Sequence, residues 1–263
     1  MRVFVLLLLL STTLTGCDET PTGRSQIALV PNVMMADIGR QAFEQRRAAA
    51  PTLGDAKIKA RVQCIADALA VSAEATYPGA TQPQRWQVVV FEDASPNAFA
   101  LPGGGIGVHT GMLNVAETPA QLAAVIGHEM GHVLANHGNE RLTQKLGLSA
   151  VMLVVGLMSE GEVGHESLMQ ALGLGTQLGI ALPFSRAHEQ EADQMGLAIM
   201  ANAGFDPEQS VRLWQNMAAI SSGQPPELLS THPAHASRIE GLRRHMEAAR
   251  ASFQRVSPAP CPR

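Results

Sequence analysis

Aromatic residues make up only 4% of this 263-residue chain, with a single Tyr. A large sheet core leans on aromatic and β-branched side chains, so their scarcity, beside abundant Ala, Leu, Gly and Met, favours packed helices. Charge is also sparse, at 16% of residues with a net of −4 and no long run of one sign. That excludes the basic face a nucleic-acid binder needs. No apolar run reaches the roughly 20 residues that span a bilayer. Leu146 to Leu157 and Ser167 to Leu182 come nearest, but both are short and interrupted by glycine, and they read as core helices or as surfaces that touch membrane or substrate. Cysteine is limited to three positions. Hydrophobic residues nevertheless reach 46%, enough for a sizeable core, and the length suits one globular domain with short appendages.

The first 16 residues stand apart. Arg2 gives a positive start, Val3 to Leu10 is an unbroken apolar run, and Leu14-Thr15-Gly16-Cys17 closes it. This is the layout of a secretory signal peptide. Leu-Thr-Gly-Cys also resembles the lipobox of bacterial lipoproteins, which implies lipid on Cys17, cleavage before it and a periplasmic, membrane-tethered protein. An ordinary signal peptide with an incidental cysteine is the plainer alternative. Asp18 resembles an inner-membrane retention signal and favours that membrane, with the outer membrane left open. Residues 17–26 then form a polar tether, 27–256 the folded domain and 257–263 a C-terminal tail. Two thiols left in an oxidising compartment point to one disulfide, Cys64–Cys261. The alternative is two separate thiols, one in a helix and one in the tail.

Apolar spacing predicts helices over Pro31–Ala49 and, capped by Asp55, over 56–75. Arg85 to Phe91, Ala98 to Leu101 and Ile106 to His109 predict a small three-stranded sheet. Beyond it the chain reads as helical, giving an α+β class that is mostly α. Thr118-Pro119-Ala120-Gln121 is a strong helix start, with a Thr cap, Pro at the first position and Gln three residues after the cap.

That helix carries His128-Glu129-Met130-Gly131-His132. Residues four apart share a helix face, so both imidazoles can point at one ion, with Glu129 close enough to reach a water on it. With nine His in the chain, roughly 0.02 such matches are expected by chance. Zinc takes neutral imidazole well and lowers the pKa of water from 15.7 to about 7, and Glu129 can accept the proton. A catalytic zinc needs a third protein ligand. The segment from Ser185 to Asp193 offers one: Glu189 and Asp193 lie four apart on one face, for a ligand and a carboxylate that orients a ligating histidine. Glu191 lies on roughly the opposite face, about 200° round the helix. His137 falls about 180° from His128 on a continuous helix, which reads as surface or a local hydrogen bond.

The pattern resembles zinc metallopeptidase family forty-eight, that of the HtpX, BepA and Oma-type peptidases. The matching residues are Asn97 to Gly104, Thr110 to Leu113, His128 to His132, Ser185-Arg186 with Glu189 to Asp193, and Thr231-His232-Pro233 with Arg238. Their order and spacing cover most of Asp37 to Arg244, and the chain length and lack of clear spans fit the family's soluble periplasmic lipoprotein branch. The resemblance implies a gluzincin-type metalloprotease domain, its small sheet packed against the His128–His132 helix. One zinc per chain would sit on His128, His132 and Glu189, with Glu129 as general base and Asp193 behind the ligands. It also places His232 near the metal, as an oxyanion donor or as a plug in the open zinc position. Without the resemblance His232 reads as a helix-start histidine held extended by Pro233.

The expected function is therefore a zinc endopeptidase acting on unfolded or misassembled envelope proteins, with no nucleic-acid partner and no protein partner identifiable. Such clients would add as a strand along Asn97, Ala98, Phe99 and Ala100, since an edge offers main-chain bonds to any sequence. The competing expectation is a binding or chaperone module with a latent, His-plugged site.

Overall fold

The computed structural model describes residues 18–147, 184–220, 228, 232, 236–259 and 261. Cys17, the apolar stretches between 148 and 182, Thr231 and Pro233 lie outside them. No helix among the described residues is long and apolar enough to cross a membrane.

Two short strands open the chain, β1 (Asp18–Glu19) and β2 (Ser25–Gln26), paired antiparallel around a turn at Gly23, whose φ is +85°. Helix α1 (Asn32–Ala49) buries Met35, Ile38 and Phe43 along one face. Helix α2 (Ala56–Thr76) begins where Asp55 accepts hydrogen bonds from the N–H groups of Lys57 and Ile58, and buries Val62, Ile65, Ala66, Leu69 and Ala73. Both match the helical spacing of the sequence. Strands β3 (Gln87–Phe91), β4 (Ala98–Leu101) and β5 (Gly105–His109) form one sheet in the order β3-β5-β4, parallel between β3 and β5 and antiparallel between β5 and β4. This leaves β4 at an edge.

Helix α3 (Thr110–Val115) leads to the central helix α4 (Pro119–Leu134). Thr118 Oγ1 accepts from the Gln121 N–H, and Gln121 Oε1 accepts in turn from the Glu117 N–H. From Gln121 onward α4 is buried nearly all round, because β4, α2, α6 (Arg186–Asn202) and α7 (Glu208–Ile220) pack against it. Helix α8 (Ala236–Phe253) covers α6 on its other side. The most extensive of these interfaces is α4 on α6. Glycines make the approach possible. A Cβ on Gly196 would stand 2.7 Å from the His128 backbone nitrogen, and one on Gly131 would stand 2.9 Å from the Ala192 carbonyl. Backbones that close leave their facing side chains to converge on one point.

α4 does not run on as a single helix. Asn136 adopts φ +59°, ψ 25°, and a separate helix α5 (His137–Leu146) starts in a new direction. Reckoning angles at 100° per residue across that break misplaces His137, as the site makes plain.

Cys64 of α2 and Cys261 form a disulfide across 197 residues of sequence. The tail is docked as well: the Ala259 N–H donates to the Gly204 carbonyl at 3.0 Å. Closing a loop of that length removes unfolded-state freedom worth about 5 kcal/mol in the chain-entropy account.

Candidate metal centre

His128 and His132 rise from α4 toward Glu189 at the start of α6, and all three are almost completely buried. Their donor atoms stand at short and similar spacings. His128 Nε2 is 3.1 Å from His132 Nε2, Glu189 Oε2 is 3.5 Å from His128 Nε2, and Glu189 Oε1 is 3.4 Å from His132 Nε2. Two imidazole nitrogens and a carboxylate at zinc bond lengths of about 2.0–2.1 Å in a tetrahedron would lie about 3.4 Å apart. His232 adds a fourth atom, Nδ1, 3.3 Å from His128 Nε2 and 3.0 Å from Glu189 Oε1. One ligand atom from each of the four residues fits within a mutual distance of 4.8 Å. The donor set suits zinc, and beside it the buried Glu129 Oε1 has no hydrogen-bond partner among the described residues. Glu129 Oε1 lies 3.6 Å from His232 Nε2.

Behind the ligands, Asp193 Oδ1 meets His128 Nδ1 at 3.0 Å, as a carboxylate that orients a ligating imidazole does. Arg238 of α8 is buried between the acids, with Nε 2.7 Å from Asp193 Oδ2 and Nη1 2.6 Å from Glu189 Oε2. Its guanidinium also stacks 3.6 Å over the Trp214 ring of α7. Burial pushes the Glu189 and Asp193 carboxyls upward, but Arg238 and the histidines outweigh it and hold both well into the ionised range. Burial holds His132 neutral, far below the ordinary imidazole value, which is the form a metal needs. His128 is raised to about 9: burial and Arg238 press it down, and the Asp193 and Glu189 carboxylates more than offset them.

Of the two readings of His137, surface or a local hydrogen bond, the structure takes the second. It is fully buried, its Nδ1 lies 2.9 Å from His132 Nδ1, and its Nε2 lies 3.0 Å from Glu191 Oε2. The break at Asn136 turns it back under the metal ligands. Glu191, on the far face of α6 from Glu189, is likewise buried and belongs to this outer layer. Phe184 stacks on the His132 ring at 3.7 Å, with the Arg141 guanidinium 3.5 Å over the Phe184 ring.

The sequence matches the model of peptidase family M48 over residues 56–246. The chain belongs to peptidase family M48. Over 158 residues it is 36% identical to the mitochondrial metalloendopeptidase OMA1 of Arabidopsis thaliana, covering 60% of this chain and 31% of that protein. It is 33% identical over 167 residues to the metalloprotease LoiP of Escherichia coli, covering 64% of each. The beta-barrel assembly-enhancing protease of Yersinia pestis is 28% identical over 207 residues, covering 76% of this chain and 41% of that protein. The match thus spans between about a third and two thirds of these relatives.

The M48 chain's predicted ligands His128, His132 and Glu189 come together with Glu129, Asp193 and His232. The proposed substrate edge divides. The His109 N–H donates to the Asn97 carbonyl, so in the antiparallel alternation Asn97 and Phe99 turn their main-chain groups toward β5, and Ala98 and Ala100 turn theirs to the open side. The Phe99 ring packs against Phe43 and Phe91 in the core. A cavity lined by Ala100, Leu101, His132 and Arg141 connects this edge with the histidine cluster. The parts that sequence reasoning missed are His137, the charge role of Arg238, and the small-residue contacts at Gly131 and Gly196. None of these had a legible signal, because each depends on a backbone break or on how separate helices meet.

Proposed function

We propose that the chain is a zinc-dependent endopeptidase that hydrolyses peptide bonds of unfolded or misassembled cell-envelope proteins. The convergence of His128, His132 and Glu189 beside a buried Glu129 carries this reading. A structural zinc site has no use for an adjacent base, so a buried carboxylate alongside the converging donors suits catalysis. Zinc, when bound, supplies Lewis-acid polarisation and makes water acidic enough to ionise near neutral pH. Glu129 accepts that proton and returns it to the leaving amine. Asp193 and Arg238 hold His128 and Glu189 in place. The main-chain groups of Ala98 and Ala100 take an extended client as an added strand, which tolerates any side-chain sequence. Replacing Ala100 with Pro removes an edge donor. Peptide turnover should fall at least about tenfold while zinc content stays at one per chain, and unchanged turnover would refute edge binding.

The signal and lipobox pattern before Asp18 supports periplasmic anchoring through lipid on Cys17, at the inner membrane by Asp18. The printed name of the Yersinia relative, a beta-barrel assembly-enhancing protease, supports envelope clients.

His232 favours a latent resting state, because its Nδ1 stands among the ligand atoms at bonding spacings. The test is incubation of the purified protein with casein or a destabilised envelope protein, with and without a chelator. Cleavage should stop with chelator and return with added zinc. His232→Ala should raise basal cleavage and cause self-cleavage. A fall of about 100-fold would instead make His232 an oxyanion donor. No cleavage by either protein, with one zinc per chain, would favour the binding-module reading.

A further inference from the structure

The metal site rests on a layer of polar contacts that reaches the first described residues of the chain. Glu191 of α6 accepts from the hydroxyls of both Thr20 and Thr22, and from Arg24 Nε at 2.6 Å. The same guanidinium grips Glu140 of α5 through Nη1 at 3.2 Å and Nη2 at 2.8 Å. Glu140 meets His188 Nε2 at 3.1 Å, and His188 precedes the ligand Glu189. The turn between β1 and β2 is closed by its own bonds, Thr20 N–H to the Arg24 carbonyl at 2.9 Å and Gly23 N–H to the Thr20 carbonyl at 2.8 Å. It therefore presents Thr20, Thr22 and Arg24 as a formed unit.

The direction of the bonds is fixed from the metal outward. His132 turns Nε2 toward the other ligand atoms, so a ligating His132 carries its proton on Nδ1. His137 Nδ1, 2.9 Å away, must then accept, which leaves the proton of His137 on Nε2. That proton goes to Glu191 Oε2 at 3.0 Å, and a carboxylate can only accept. Thr20, Thr22 and Arg24 supply the donors that keep Glu191 where His137 needs it. Every link has one donor and one acceptor, and Thr20, Glu191, His137 and His132 are all nearly or fully buried, where such chains are stiff and strong. His137 also stacks on His188 at 4.4 Å, which blocks rotation of its ring.

We propose that the β1–β2 hairpin acts as a clamp that orients the metal ligand His132 through Glu191 and His137. His137 and Glu191 are positioning residues: they touch neither the metal nor substrate, and act by fixing the ring that does. This rests on the zinc reading of the site. It adds that the chain just before the protease fold is part of the metal site's support. A tether pulled away from the domain would loosen the zinc without unfolding the helices that carry it.

Zinc affinity, measured by chelator competition on the purified protein, tests the clamp independently of proteolysis. His137→Phe deletes the acceptor and should weaken zinc about 10- to 100-fold. His137→Gln keeps one acceptor and one donor and should recover most of the loss. Thr20→Val with Thr22→Val removes two donors at nearly constant volume and should weaken zinc roughly fivefold. In each weakened variant the zinc-induced rise in melting temperature should shrink while the metal-free melting temperature moves less. A merely structural role would lower both alike. Affinities of His137→Phe and the double Thr variant within about twofold of wild type would overturn the clamp. If His137→Phe does not fold, the double Thr variant decides alone. A wild-type protein that holds no zinc would overturn the site reading itself, whereas one that holds zinc no more tightly than its variants overturns only the clamp.

Discussion

Glu129→Gln should leave a folded protein with one zinc per chain and proteolysis lower by about 10²- to 10⁴-fold, the usual share of a positioned general base. The substitution is nearly isosteric at a position that is 2% exposed, so packing against the neighbours of α4 is kept. It changes only the chemistry: an amide cannot take up the proton. Glu129 contributes no atom to the group of four converging ligands, so zinc content should not change. Casein hydrolysis and metal analysis on the same preparation give both quantities. Activity within tenfold of wild type, at full zinc occupancy, would remove Glu129 from the reaction.

Glu189→Ala has the opposite signature, because it should strip the zinc and with it all activity. Among the described residues its carboxylate is the only oxygen donor in the converging group, and its ionised form is held by Arg238 at 2.6 Å. Removing it also leaves Arg238 buried with Asp193 as its remaining carboxylate, at a stability cost of about 3–5 kcal/mol for a broken buried pair. Glu189→Gln keeps the volume and separates loss of ligation from loss of fold. It should still lose most zinc, since a neutral amide is a poor ligand for it. Asp193→Asn should retain zinc but weaken it about 10- to 100-fold. The sequence alone would have Glu191→Ala leave zinc untouched, as a residue on the far face of α6. The bond from His137 changes that expectation to a partial loss. A Glu189→Ala protein that keeps its zinc would refute the ligand assignment.

The candidate ligands could be named from the sequence because local spacing offers the two pairs, while the choice of Glu189 as third ligand came from the resemblance to the peptidase family. His128 and His132 are four apart in a helix whose start Thr118 and Pro119 announce, and Glu189 and Asp193 are four apart in another. The 3.6-residue period then fixes which side chains share a face. The three strands from Gln87 to His109 and the caps at Asp55 and Thr118 were legible for the same reason: each depends on a few adjacent residues. The sequence also left Cys64 and Cys261 as the two thiols free to pair.

The tertiary structure decided what depends on backbone breaks and on helix-to-helix distance. One residue, Asn136 at positive φ, follows the end of α4 and turns His137 to the underside of His132, deciding for the hydrogen bond over the surface. No periodicity shows such a break in advance, because Asn tolerates both helical and left-handed backbone. The α4–α6 approach rests on missing Cβ atoms at Gly131 and Gly196, a steric fact that appears only when the helices are set together. Arg238 becomes the counter-charge of Glu189 and Asp193 only because α8 packs across α6, more than forty residues along the chain. Thr20, Thr22 and Arg24 look like a polar tether in sequence, and only the fold brings them to Glu191. Local spacing thus offered the candidate ligands, while long-range packing brought them together and chose the residues that hold them in position.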